Sequence, residues 1–251
     1  MKKSIKIILA IIVVIAVAVS GFGVFTYIRI KNADFPDGFN VTAHTGCENT
    51  EDNSLDAIRK GYESGADIVE FDLNFTAEGE AVLWHDEEPQ GDCVTLDEAF
   101  SLVAELSGLR VNVDCKSVAN LKVVAELSEK YDITDRIFYT GIEEDDVATV
   151  KEQTPDIIYW LNYEVDTERN TDEKYLLSLA EKTRELGAVG INIKHSTCTR
   201  ELVEVFHREG LLVSIWTVND TSDMIRALGL GADNITSRDP SQLLKLVEMS
   251  K

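Results

Sequence analysis

From residue 39 onward, short apolar runs alternate with longer stretches whose apolar positions recur at helical spacing. The short runs predict strands over Phe39–Ala43, Ile68–Leu73, Ala81–Trp84, Leu109–Asp114, Ile137–Tyr139, Ile157–Leu161, Val189–Ile193, Leu212–Val218 and Asn234–Ile235. Between them the pattern predicts helices over Asn53–Ser64, Leu96–Glu105, Ala119–Lys130, Glu144–Glu152, Glu173–Leu186, Thr199–Glu209 and Thr221–Leu228. In the first, Leu55, Ile58 and Tyr62 share one side. Thr95 with Glu98 three residues later has the form of a capping box.

Strands separated by helices imply parallel order. One pair breaks the rule: only Thr76-Ala77-Glu78-Gly79-Glu80 joins Ile68–Phe75 to Ala81–His85, too few residues for a helical crossover, so a hairpin is expected there. A two-residue turn at Glu78-Gly79 pairs Ala77 with Glu80 and sets Asp72 opposite His85. A three-residue loop shifts the register and turns His85 to the other face. With the hairpin as one excursion, eight parallel strands remain, the number that closes a (β/α)8 TIM barrel. The competing fold is an open doubly wound sheet, but no GxGxxG follows a strand.

The first 31 residues have a different pattern. They hold five basic residues (Lys2, Lys3, Lys6, Arg29, Lys31) and no acidic one, and Ile7–Phe25 carries no charge. From Ile7 to Ile28 a helix would run about 33 Å, enough to cross a bilayer. The chain therefore divides into residues 1–31, a membrane anchor or signal segment, and residues 32–251, the barrel domain. Ala18-Val19-Ser20 could serve a signal peptidase, which would give a secreted protein. The apolar run continues past that point, which favours an N-terminal transmembrane helix, single-pass, with the basic end in the cytoplasm and the barrel outside the cell membrane.

Charge narrows the function. Over the 251 residues, 45 acidic side chains face 24 basic ones, a net charge of −21, so the chain does not hold nucleic acid by counterion release. Apolar residues at 44% and four prolines exclude a disordered chain. Cys47, Cys93, Cys115 and Cys198 form no CxxC and no zinc spacing. Unpaired thiols are the expectation, although an exported location permits disulfides. The sequence leaves the oligomeric state open.

Chemistry gathers where strands end, and barrel sites form at the carboxyl ends of strands. The first strand runs into His44, the second carries Glu70-Phe71-Asp72, the hairpin returns to Trp84-His85-Asp86, and the next strand ends in Asp114-Cys115-Lys116. Alternation puts Glu70 and Asp72 on one face, and Asp114 and Lys116 on one face. Converging carboxylates repel unless something positive sits among them, and an all-oxygen set of Glu70, Asp72 and Asp114 suits a hard cation, Mg²⁺ or Ca²⁺, better than zinc. Two histidines at the same mouth fit an acid/base pair, because imidazole titrates near neutral pH. Lys116 could be a salt-bridge partner or a phosphate ligand. Tyr159 could reach the mouth, although a place in the barrel wall is the plainer expectation.

These residues resemble the glycerophosphodiester phosphodiesterase family. The matching stretches, in the family's order, are Ala43-His44-Thr45-Gly46, Asp52-Asn53-Ser54-Leu55, Gly65 to Leu73, His85-Asp86, Val113-Asp114-Cys115-Lys116, Trp216-Thr217-Val218-Asn219 and Gly231 to Thr236. The resemblance implies a TIM barrel that hydrolyses a small-molecule glycerophosphodiester to an alcohol and glycerol 3-phosphate. It implies Glu70, Asp72 and Asp114 as ligands of a divalent cation, and His44 and His85 as the catalytic histidines. Lys116 then contacts phosphate, and Trp216 packs at the substrate pocket. Three departures stand out. Thr45 replaces the family's usual arginine after the first histidine, exchanging a two-pronged guanidinium for one hydroxyl in any phosphate contact. Asp52 stands where Glu is usual, and Asp114 where Glu is common. Two other functions stay open: a phosphodiesterase of lysophospholipids or sphingolipids on the same barrel, which an apolar lip around Trp216 would favour, or a non-catalytic binding module.

Overall fold

A computed structural model describes residues 35–250. The anchor expected over residues 1–31 lies outside them. Among the described residues, no helix is long and apolar enough to cross a membrane.

Nine strands form one sheet: β1 (Asn40–Ala43), β2 (Ile68–Phe75), β3 (Ala81–Leu83), β4 (Arg110–Cys115), β5 (Ile137–Ile142), β6 (Tyr159–Asn162), β7 (Gly190–Lys194), β8 (Leu212–Trp216) and β9 (Asn234–Ser237). Eight are parallel and run β1-β2-β4-β5-β6-β7-β8-β9, and β9 pairs back onto β1 to close the barrel. Among the described residues, eight helices accompany them: α1 (Leu55–Glu63), α2 (Leu96–Glu105), α3 (Lys122–Lys130), α4 (Val147–Gln153), α5 (Glu173–Leu186), α6 (Arg200–Arg208), α7 (Thr221–Leu228) and α8 (Pro240–Ser250). This is the expected TIM barrel with a hairpin after the second strand.

Side-chain hydroxyls start several helices, the one at Thr95 as the sequence placed it. Ser54 accepts the Ala57 N–H at 3.1 Å, and Thr95 with Glu98 completes the capping box. Several expected boundaries shift: the first helix begins at Leu55, the strand expected over Ile137–Tyr139 runs on to Ile142, the one over Ile157–Leu161 begins at Tyr159, the one over Leu212–Val218 stops at Trp216, and the one over Asn234–Ile235 runs on to Ser237. The helix expected over Ala119–Lys130 begins at Lys122, and the one over Glu144–Glu152 opens with a single 3₁₀ turn before α4. Helix α8 was not anticipated, although Pro240 stands first in it and Leu243, Leu246 and Val247 recur at helical spacing on its buried side.

The hairpin takes the three-residue form. Leu73 pairs with Leu83 and Phe75 with Ala81, and the Thr76 N–H reaches the Glu80 carbonyl at 2.9 Å. Gly79 closes the loop at φ +87°, a conformation glycine adopts without strain. Asp72 thus lies opposite Trp84, whose N–H donates to its carbonyl at 3.0 Å, and not opposite His85. Regular pairing stops at Leu83, so strand alternation no longer dictates where His85 points.

The strands have two unlike faces. Odd-numbered residues such as Val69, Phe71, Val111, Val113, Ile191, Val213 and Ile235 are buried among the helices, with Phe71 against Phe100 of α2 at 6.3 Å between ring centres. Even-numbered residues point into the barrel. At the base Ile68, Phe138 and Trp160 form a small apolar plug. Above it lies a polar layer: Thr42, Glu70, Asn112, Thr140, Asn162, Asn192, Ser214 and Thr236. Tyr159 faces outward, its hydroxyl bonded to the Leu186 carbonyl, and does not reach the mouth.

Candidate active site

From this layer Glu70, Asn112, Thr140, Asn162, Asn192 and Thr236 line a cavity of about 210 Å³ at the carboxyl ends of the strands. Every residue the sequence singled out for chemistry lines it: His44, Thr45, Glu70, Asp72, His85, Asp114, Lys116 and Trp216. His195 and His207 do not line it. His195 accepts from Arg226, and His207 pairs with Asp233 at 2.8 Å.

The three carboxylates converge because β2 and β4 are in register, Glu70 beside Asn112 and Asp72 beside Asp114. One oxygen from each of Glu70, Asp72 and Asp114 lies within 4.8 Å of the others. Glu70 and Asp72 are buried and Asp114 half-buried. Each is held by a neighbour. Glu70 accepts the Thr45 N–H at 2.9 Å, and Thr140 donates to Asp114. Asn53 brackets Asp72 twice, its amide donating to the carboxylate at 2.9 Å while its carbonyl accepts the Asp72 N–H at 3.0 Å. To do so Asn53 adopts φ +56°, the left-handed region that asparagine tolerates better than most residues.

Among the described residues, Lys116 is the one lysine or arginine in direct contact with this set. It pairs with Asp72 at 3.0 Å and with Asp114 more closely. Burial alone would lower its pKa, but Asp114 and Asp72 outweigh it and raise the value. Glu70 is pushed well above the ordinary carboxylate range, first by burial and then by Asp72 and Asp114. With every carboxyl ionised, Asp52, Glu70, Asp72 and Asp114 on the lining outnumber Lys116 and Arg238 by two charges, and after burial it is this excess that raises the pKa of Glu70. A hard divalent cation is what such a set of oxygen donors fits, in charge and in chemistry.

The two histidines differ in setting. His44 follows β1, with only 22% of its side chain exposed, and its Nδ1–H donates to the Thr45 carbonyl at 2.8 Å. Burial lowers its pKa, and the charge of Arg238 adds to that lowering while the Thr45 carbonyl opposes it. His85 is 69% exposed at the rim, with Nδ1 3.1 Å from Asp86. In both rings an oxygen acceptor at Nδ1 leaves Nε2 for proton exchange. Thr45 is buried and its hydroxyl is engaged with Asn53. Trp216, at the end of β8, walls both this cavity and a neighbouring one of about 380 Å³, and its buried indole N–H has no acceptor among the described residues.

Three parts of the site escaped the sequence. Asn162 accepts from Gly141 and Asn192, and with Asn112 and Thr236 it lines the floor. An asparagine on a strand has no motif to mark it. Asn53 lay in a recognised stretch, but its bracket on Asp72 depends on a backbone turn. Arg238 meets Asp52 across 186 positions of sequence.

The sequence matches the glycerophosphoryl diester phosphodiesterase family over residues 33–122 and 104–241. It is 26% identical over 246 residues to a glycerophosphodiester phosphodiesterase of Caldanaerobacter subterraneus subsp. tengcongensis, covering 82% of this chain and 97% of that one. The fold is similar to a crystal structure of a glycerophosphodiester phosphodiesterase from Parabacteroides distasonis, with TM-score 0.72 and 20% identity over 84% of this chain and 97% of that one. It is also similar to an Oleispira antarctica phosphodiesterase in complex with the product sn-glycerol-3-phosphate, with TM-score 0.71 and 18% identity over 83% of this chain and 96% of that one. The family match spans nearly the whole barrel, and the chain belongs to the glycerophosphoryl diester phosphodiesterase family, a phosphodiester hydrolase by that membership.

Proposed function

We propose that this chain hydrolyses glycerophosphodiesters to an alcohol and glycerol 3-phosphate with a divalent cation, Mg²⁺ or Ca²⁺, held by Glu70, Asp72 and Asp114. The observation that carries the reading is the convergence of those three carboxylates beneath two histidines in one cavity. When bound, the cation supplies positive charge to a non-bridging phosphate oxygen and offsets the charge that grows there.

The chain's own residues do the rest. Lys116 presents an ammonium at the same edge, a second positive contact for the phosphate. His44 and His85 form the acid/base pair: Nε2 of one ring takes the proton of the nucleophile, water or the substrate's glycerol hydroxyl, and Nε2 of the other protonates the leaving alkoxide. The Thr45 carbonyl and Asp86 each lie at Nδ1 of a ring, which orients both rings: Nε2 of the base is then bare, and the acid carries its second proton on Nε2 as an imidazolium. Trp216 offers its ring to the carbon skeleton of the substrate.

The surroundings of Trp216 favour a small polar head group over acyl chains. The neighbouring cavity has Tyr163 and Val165 on its wall, but also Glu143, Glu164, Lys194 and Thr197, so no continuous apolar lip surrounds the indole. Purified protein with Mg²⁺ or Ca²⁺ is expected to turn over glycerophosphocholine in preference to lysophosphatidylcholine. Glu70→Ala and His85→Ala are each expected to lose at least about 10²-fold in turnover. Near-wild-type hydrolysis by either variant, or full activity in excess chelator, would overturn the reading.

A further inference from the structure

The family resemblance places an arginine where this chain has Thr45, and the Thr45 hydroxyl is turned to Asn53. A guanidinium nevertheless reaches the same cavity by another route. Arg238 follows β9, the barrel neighbour of β1, and lines the cavity beside His44. With Lys116 at the end of β4, it frames the arc formed by His44, Asp72 and Asp114 from the other side.

Arg238 is held in place. Its Nη1 donates to Asp52 Oδ1 at 2.7 Å and its Nη2 to Oδ2 at 3.1 Å. Its backbone N–H donates to Asn219 at 2.9 Å, and its carbonyl accepts the Glu48 N–H at 2.9 Å. The pair lies directly over Gly46, where a Cβ would meet Asp52 Oδ1 at 1.9 Å and Arg238 Nη1 at 2.6 Å, so only glycine fits beneath it. Asp52 takes two of the five guanidinium hydrogens. The Nε–H and one hydrogen on each Nη have no protein acceptor among the described residues, and the side chain is 41% exposed at the cavity wall.

We propose that Arg238, oriented by Asp52, is a phosphate-binding residue of this enzyme, supplying from β9 the guanidinium that the family resemblance places at position 45. This rests on the phosphodiesterase reading for its ligand class, a phosphate mono- or diester. The free edge of the guanidinium can give two parallel hydrogen bonds to phosphate oxygens, which Thr45 cannot. The rival role is a staple: an exposed ion pair that only ties the β1–α1 loop to the end of β9, a contact worth little on its own.

The test measures binding of inorganic phosphate and of glycerol 3-phosphate to the full chain with Mg²⁺, by calorimetry, alongside thermal melting. Arg238→Ala is expected to weaken both ligands at least ten-fold with little change in melting. An affinity within two-fold of wild type would overturn the proposal. Asp52→Asn separates the two roles should Arg238→Ala fold poorly. It removes the competing charge but keeps one acceptor oxygen to orient the guanidinium, so phosphate affinity is expected to hold or tighten, whereas a staple predicts a loss as large as that of Arg238→Ala. These measurements need no turnover. A protein that binds phosphate through Arg238 but hydrolyses no glycerophosphodiester would defeat the proposed reaction and leave this assignment standing. Hydrolysis that ignores Arg238 would do the reverse.

Discussion

The same eight strands build two surfaces of opposite character. Facing the helices, β2 presents Val69, Phe71 and Leu73, all at or near zero exposure. Facing the barrel axis, it presents Ile68, Glu70 and Asp72, apolar at the base and charged at the mouth. Each of the other parallel strands likewise puts a polar residue at the middle level: Thr42, Asn112, Thr140, Asn162, Asn192, Ser214 or Thr236. The interior of a (β/α)8 barrel is commonly filled by branched apolar side chains. Here the apolar filling is confined to the plug of Ile68, Phe138 and Trp160. The shell between strands and helices therefore holds the fold together, and the interior is left to polar groups and the cavity above them.

The sharpest test of that division removes one outward ring. Phe71→Ala leaves the site untouched but opens a cavity between β2 and α2, where Phe71 meets Phe100. The expected cost is about 3–5 kcal/mol, read from denaturant unfolding. A loss below about 1 kcal/mol would mean that the shell is not the main source of stability.

A smaller loss is expected inside. Thr42 donates to Asn234 Oδ1 at 2.7 Å, and the Asn234 amide donates to Ser214 at 2.9 Å, all three fully or nearly buried. Thr42→Val keeps the shape and deletes the donor, which leaves the Asn234 carbonyl without its partner. The expected cost is about 1–3 kcal/mol by the same measurement. If the interior obeyed the rules of the outer shell, valine would be neutral or stabilising.

The two faces also differ in how legible they were. The outward residues announce themselves as short apolar runs, because burial against helices admits little else. This is why β2, β4, β7 and β8 are evident from pattern alone. The carboxylates were legible because a charge spaced i, i+2 at the end of such a run has few structural uses. What stayed hidden depends on backbone geometry or on distance. The hairpin register turned on one residue of loop length, decided by Gly79 in a left-handed conformation. The brace of Asn53 on Asp72 needs φ +56° at an asparagine. The Arg238–Asp52 pair needs the barrel to close, since the β9–β1 seam brings these two residues together.

The smallest expected effect has the opposite sign, and it separates function from stability most directly. Glu70 is buried beside Asp72 and Asp114, and in the ion-free protein its pKa is raised, first by burial and then by those neighbours. A carboxyl whose folded-state pKa exceeds its unfolded value contributes most to stability below the unfolded value. That contribution is lost as pH rises through the folded value. Ion-free protein should therefore be penalised by Glu70 at neutral pH and relieved of that penalty in acid. Glu70→Gln keeps the oxygen that accepts the Thr45 N–H and removes the charge. In chelator at pH 7 it should be more stable than wild type, by on the order of 1 kcal/mol, the scale on which active-site residues trade stability for function. The difference should shrink towards zero as pH falls. On the proposed function, adding Mg²⁺ or Ca²⁺ should reverse the order at neutral pH, because a cation held by the deprotonated carboxylates of wild type would stabilise its folded state and would find one charge fewer in the variant. Melting curves at several pH values, with and without cation, read all of these effects. A Glu70→Gln variant less stable than wild type in chelator would show that the inner carboxylates support the fold, and the division between the two faces would fail at its centre.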